Sequence, residues 1–310
     1  MSDIYTIGEV MVLFLAVDTD SVTSARKYEM FAAGAEANVA IACTRLGLDV
    51  HFYTKLGTDE LGAAAMALLQ AEGINTSAIA RLDIITGVMV RNQGLKAPIN
   101  ITYLRNASAA STIAPQDLVK DDIKSARWAH FTGITVALSD SCAKAVVEGM
   151  KIASENSVPI SFDLNIRRKL WSEDQARKSL LPIVRDVNVL FGGIDEYQVI
   201  WGNTDFEKNL QSAQKVGVQT AIMTQGSGKI HVLHDGRRFD ISPDVKETVD
   251  SVGSGDAFVG GTISGILSGM SVKEAIQQGS VCGGRVASQM GDWTGLPRGT
   301  HGRINEEERL

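Results

Sequence analysis

The sequence predicts an α/β fold: a three-layer α/β/α domain with a mainly parallel central sheet and a small β-sheet lid. Three observations predict it. From His51 onward, short apolar runs of strand length alternate with longer segments that open at capping residues, the pattern of a parallel sheet flanked by helices. Strand-like runs within about residues 11–31 and 87–105 interrupt that series with hairpins and call for a second, smaller sheet. Polar and charged residues also gather just after apolar strands, where an open α/β sheet keeps its ligand chemistry.

Composition bounds the answer. At 310 residues, 44% hydrophobic and 21% charged, the chain can bury a large core, and one domain over residues 1–310 is expected. A formal charge of −6 disfavours a nucleic-acid partner, and the basic run Arg167-Arg168-Lys169 is short. Cys43, Cys142 and Cys282 lie far apart in apolar or small-residue contexts, which suits buried free thiols in a reducing cytoplasm. Met1 to Tyr5 carries no basic leader, and no apolar run approaches a membrane span, so neither secretion nor membrane insertion is supported.

The elements follow in order. Ile4 to Val10 reads as a buried strand ending at a site-facing turn, Gly8-Glu9; Met11 to Ala16 and Ala25 to Phe31 then form a hairpin across Asp18 to Ser21. Ala32 to Ala40 is a small-residue turn running into a helix that ends at Leu46-Gly47, and it suits close ligand approach and close helix packing equally well. His51 to Gly62 is strand, turn and helix start, with the helix ending near Glu72-Gly73. Gly87 to Arg91 and Ile99 to Leu104 pair around the turn at residues 94–98, and alternation puts Tyr103 and Arg105 on one strand face. Trp128 to Thr132 is a strand, followed by a helix capped at Ser139 or Asp140; Pro159 to Leu164 is the next strand. Beyond it Asp163, Asn165 and Arg167 alternate along one direction, as a ligand edge or as a solvated charged loop. Val187 to Phe191 leads to a helix ending near Trp201, Ala221 to Thr224 leads to Gly226, and residues 231–241 form a hairpin turning at Asp235-Gly236. Lys229 lacks a phosphate-loop context and reads as a surface turn.

The stretch Asp250-Ser251-Val252-Gly253-Ser254-Gly255-Asp256-Ala257-Phe258 sets the most specific demand. Its glycines permit a tight turn with bare N–H groups at a helix start, where the helix dipole favours an anion. Asp256, a carboxylate at such a place, fits either a helix N-cap or a base that takes a proton from a hydroxyl attacking a phosphate.

The whole stretch resembles the C-terminal signature of the ribokinase-like (PfkB) carbohydrate kinases, with Ser251 and Ser254 as departures. Residues 32–40 resemble the family's N-terminal signature through Gly34, Asn38 and Ala40, with Ala33 replacing a glycine. Tyr103-x-Arg105-x-x-Ser108-Ala109 resembles the 2-keto-3-deoxygluconate kinase branch, and Asp163-x-Asn165-x-Arg167-x-x-Leu170-Trp171 resembles the corresponding stretch of ketodeoxygluconate kinases and fructokinases. The resemblance implies a ribokinase-like domain transferring phosphate from ATP to a sugar or sugar acid, 2-keto-3-deoxygluconate first, with fructose or another sugar or nucleoside of the family as the alternative. A sugar- or nucleotide-binding sensor without catalysis is the reading from a different class. It implies Asp256 as base, with Gly253, Ser254 and Gly255 as the anion hole. Gly34, Asn38, Tyr103, Arg105, Asp163, Asn165 and Arg167 fall to the sugar, and Thr224, Gly226, Gly253, Gly255 and Ser280 to the nucleotide. Glu196 is implied near Mg²⁺ indirectly, although Gly193 stands where the family usually has Asn. The implied cofactors are ATP and Mg²⁺, with K⁺ a further candidate ion, and the implied partner is a second copy docked through the lid.

Overall fold

The computed structural model describes residues 2–96, 98–243 and 247–308. Two compact units emerge, one of Met1–Ile7 and Ala114–Pro243, the other of Gly8–Ile113 and Asp244–Leu310.

In the first unit, strands Ile4–Ile7, Trp128–Thr132, Ile160–Asp163, Val189–Gly193 and Thr220–Thr224 pair side by side, all parallel. Ile230–His234 and Arg237–Ile241 extend the sheet antiparallel. Trp128–Thr132 and Ile160–Asp163 are buried at every residue, as expected of parallel strands covered on both faces. The hairpin turns at Asp235 and Gly236, whose φ of 46° and 75° give the twist that matches the flanking strands. Ser139 caps helix Asp140–Glu155, its Oγ accepting from Cys142 N at 3.1 Å. Helices Gly133–Leu138, Glu173–Ile183 and Phe206–Lys215 were not expected from sequence. The first is short and apolar, and the other two are charged enough to read as loops until Ser172 and Asp205 are seen capping them.

In the second unit a small sheet runs in the order Tyr28–Ala33, Met11–Ala16, Val88–Arg91, Ile101–Leu104. Its outer pairs are the two expected hairpins, and its central pair is parallel. The second strand begins at Tyr28, later than Ala25, because both Asp18 carboxylate oxygens accept from Arg26 N and hold that segment as a turn. One face of the sheet buries Met11, Leu13, Leu15, Ala33 and Met89. On the other face Phe14 stands opposite Met30 and Val88 opposite Leu104, and Tyr28, Met30 and Leu104 are exposed. Ala97, within the expected 94–98 turn, lies outside the described residues.

Helices Ala35–Arg45, Glu60–Ala71, Ser254–Leu267 and Val272–Ala287 also belong to this unit; of these, Ala35–Arg45 and Val272–Ala287 pack on either side of Ser254–Leu267. Ser254–Leu267 is buried from Asp256 through Gly265, since its small side chains let the neighbours close on it from two sides. Ser271 caps Val272–Ala287, with Glu274 reaching back to Ser271 N at 2.9 Å. Lys55–Gly57, within the stretch read as strand and turn, pairs in parallel with Ala80–Leu82, a strand not expected from sequence. All three cysteines are buried, and none is joined in a disulfide among the described residues. No helix among the described residues is long and apolar enough to cross a membrane.

Candidate active site

The site in the second unit starts from one backbone conformation. Gly253 sits at φ 79°, the left-handed region, and a Cβ there would stand 1.8 Å from Asp292 O, so no other residue fits. That turn lets helix Ser254–Leu267 begin at once. The first N–H groups of a helix have no intrahelical acceptor, and the dipole adds positive potential there. Ser254 N bonds Ser251 O at 3.3 Å and its Oγ bonds the same carbonyl at 2.8 Å, which fastens the turn. Gly255 N–H is left without an acceptor among the described residues, and a Cβ added at Gly255 would meet nothing within 4 Å. Open space thus stands over a bare amide.

Asp256 lies in the first turn of the same helix and is 7% exposed. Asn38 Nδ2 donates to its Oδ2 at 2.8 Å, a contact between residues 218 apart in sequence. Asn38 comes from the first full turn of helix Ala35–Arg45, which starts at Gly34; a Cβ on Gly34 would lie 2.1 Å from Glu9 O. The Asn38 side chain also draws down the pKa of the neighbouring Asp292 carboxyl, while its Oδ1 is buried without a partner. Ser280 is buried in helix Val272–Ala287.

Behind the turn lies a group the sequence did not reveal. Arg91 is fully buried, and its Nη2 donates to Asp250 Oδ2 at 2.5 Å and to Asp292 Oδ1 at 3.3 Å. Burial and the neighbouring Asp250 push the Asp292 carboxyl up to about 6, against the pull of Arg91. A lone Arg on a lid strand carries no signal of this, because its partners are distant in sequence.

Arg105 and Tyr103 are brought together as alternation implied, the guanidinium carbon 5.5 Å from the ring centroid. Arg105 is also buried and ion-paired to Glu9, which accepts from Ser108 Oγ at 2.5 Å. Desolvation raises the Glu9 pKa, and the Arg105 charge works against it. Arg105 Nε is buried with no partner. Sequence reading flagged Gly8-Glu9 only as a site-facing turn, and Glu9 as the counter-ion was missed.

The first unit carries a second group at the C-terminal end of its strands. Asp163 ends a strand, and Asn165 Nδ2 donates to its Oδ2 at 3.3 Å. The expected extended alternation from Asp163 to Arg167 does not form: Asn165 has φ 36°, so the chain turns there and Arg167 is exposed. Asn165 Oδ1 is buried without a partner. Glu196 Oε1 accepts from Ile166 N at 2.6 Å and Oε2 from Gly193 N at 2.8 Å, so it ties the loop after Asp163 to the next strand end. Burial, then the Asp163 carboxylate, raises its pKa to about 7. Thr224 ends the adjacent strand, its Oγ1 3.5 Å from Gly192 O, and Gly226 is exposed with φ 54°. Lys229 lies on the surface near Asp240, at 3.7 Å.

With this geometry in hand, the comparisons with known proteins agree on one family. A profile described as "pfkB family carbohydrate kinase" matches residues 1–298. A 2-dehydro-3-deoxygluconokinase of Bacillus subtilis (strain 168) is 32% identical over 302 residues, 95% of this chain and 92% of that protein. A probable fructokinase-4 of Arabidopsis thaliana is 28% identical over 309 residues, 95% of this chain and 93% of that one. Among solved structures, a 2-dehydro-3-deoxygluconokinase from Thermotoga maritima superposes with TM-score 0.86 at 28% identity, covering 94% of each chain.

Proposed function

Since the chain belongs to the pfkB family of carbohydrate kinases, we propose that it transfers the γ-phosphate of ATP to a primary hydroxyl of a keto-sugar acid, 2-keto-3-deoxygluconate giving its 6-phosphate. One observation carries the reading: Asp256, buried and held by Asn38, stands in the same helical turn as the unpaired Gly255 N–H and the open space above it. A carboxylate beside an anion cradle opposes its ligand unless it accepts the proton of the attacking hydroxyl. In this reading Asp256 takes that proton, the hydroxyl oxygen bonds the γ-phosphorus, and the bond to the ADP oxygen breaks in line. The amides of Gly253 and Gly255, with Ser254 fastening the turn, hold the charge that develops on the transferring group. Mg²⁺ enters with ATP as part of the co-substrate, carried by phosphates and waters; among the described residues no group of three or more His, Cys, Asp or Glu gathers to hold a metal ion.

The acid specificity is supported by buried polar atoms that lack partners. Arg105 Nε needs an acceptor and Asn38 Oδ1 needs a donor, which a carboxylate and a hydroxyl supply. We assign Gly34, Asn38, Tyr103, Arg105, Asp163, Asn165 and Arg167 to the sugar. Thr224, Gly226 and Ser280 go to the nucleotide, and Glu196 to holding the loop after Asp163. The enzyme works in the cytoplasm, and two copies associate through the exposed face of the small sheet.

A coupled ADP-release assay over 2-keto-3-deoxygluconate, its galactose-derived epimer, fructose, ribose and adenosine tests the substrate. Turnover on the two acids is expected; turnover on fructose alone would overturn the acid reading in favour of a fructokinase, and ligand binding without ADP release would make the chain a sensor. Asp256→Asn should lower kcat by roughly 10²–10⁴-fold and move KM far less.

A further inference from the structure

A line of buried charge crosses the second unit and ends at the glycine turn, and nothing in the transfer chemistry above uses it. Arg91, at the end of strand Val88–Arg91, heads the fully buried side chains by size. Its Nη1 donates to Asn92 O at 3.3 Å, and its Nη2 is shared by Asp250 and Asp292, themselves 1% and 3% exposed. Two carboxylates this deep cannot stay ionised side by side without a cation between them.

Both aspartates are fastened to the site from behind. Asp250 Oδ1 accepts from Val252 N at 3.1 Å, and its Oδ2 accepts from Gly291 N at 3.1 Å. It therefore joins the start of the glycine turn to the segment carrying Asp292. That segment's carbonyl, Asp292 O, is the atom that a Cβ on Gly253 would strike. The Asn38 side chain faces the Asp292 carboxyl and draws its pKa down, and Asn38 Nδ2 donates to Asp256 Oδ2 at 2.8 Å. The guanidinium is thus connected to the cradle through Asp250 and to the base through Asp292 and Asn38.

We propose that Arg91 is a positioning residue for phosphoryl transfer, its clamped guanidinium setting both the Gly253–Gly255 turn and the carboxylate of Asp256. This rests on the reading of Asp256 and the glycine amides as the transfer site. Arg91 touches no reacting atom; it acts by keeping the cradle and base in register, and a shift of about 1 Å in such groups costs on the order of 10²-fold in rate.

The planar fork distinguishes this role from mere charge balance. Arg91→Lys keeps the charge but offers one point of attachment where the fork offers a plane of donors. Its kcat should fall about 10-fold and that of Arg91→Met about 10²-fold, while KM for ATP and for the sugar stays within roughly threefold of wild type. Guanidinium ion at millimolar concentration, against sodium chloride at equal ionic strength, should restore part of the kcat of Arg91→Ala. Thermal melts report the folded fraction in every case, and should Arg91→Met fail to fold, the folded Arg91→Lys decides alone. Folded variants with wild-type kcat, or with the loss confined to KM, overturn the proposal while leaving the transfer reading intact. A wild type that releases ADP with none of the sugars removes both.

Discussion

Asp256 and Glu196 are both buried carboxylates, and their surroundings set them to different work. Asn38 Nδ2 donates to Asp256 and fixes its carboxylate at the start of the helix. Glu196 instead lies beside Asp163, and burial and that neighbour push it to about 7 from an ordinary 4.5, while the N–H groups of Gly193 and Ile166 and the Arg167 charge pull the other way. The folded chain therefore keeps a proton that the unfolded chain releases near pH 4.5. Between that pH and about 7 the folded state binds more protons, so this group's contribution to stability falls as pH rises and levels off above. Urea unfolding at pH 5 and pH 7.5 should show the difference: Glu196→Gln is expected to lose roughly 1–3 kcal/mol of the wild-type fall in stability. An unchanged fall in the variant would contradict the assignment. Asp256 and Glu196 were readable as candidates because they lie in local motifs. Glu9 and Arg91 were not, since a charged side chain acquires its meaning from the counter-ion it is buried against.

At the scale of elements, the glycine turn and its helix can be probed apart from stability. A Cβ at Gly255 meets nothing and its backbone is helical, so Gly255→Ala costs no packing and gains helix propensity. Its methyl would instead occupy the open space where the anion is proposed to sit. The expected result is a thermal midpoint equal to or above wild type with kcat down by about 10²-fold; full activity in a folded Gly255→Ala would remove the cradle from that position. The parallel strands and capped helices were legible from sequence because their signals, apolar runs and Ser or Asp caps, lie within a few residues. Asn165 shows the limit of that reading. Its positive φ turns the chain after Asp163, and alternation, which assumes an extended backbone, cannot foresee it.

For the whole molecule, the small sheet poses the question of what covers its outer face. Tyr28, Met30 and Leu104 are 38%, 42% and 58% exposed on a face that also carries Phe14 and Val88. Apolar surface gathered in one patch favours association. Light scattering on wild type should give twice the chain mass, and Leu104→Lys should shift it toward a monomer by placing a charge in the apolar contact. A wild type that stays monomeric at high concentration would sink the lid-mediated dimer.

The sequence by itself determined the α/β class, the two hairpins of the small sheet, the family, and the glycine turn with Asp256, because each is written in residues close together along the chain. Tertiary structure alone decided which charges neutralise one another, Arg91 with Asp250 and Asp292 and Arg105 with Glu9, and which carboxylate Asn38 donates to, that of Asp256. Those partners are brought together only when the fold excludes water around them, and it is the loss of water that obliges a buried charge to find its opposite.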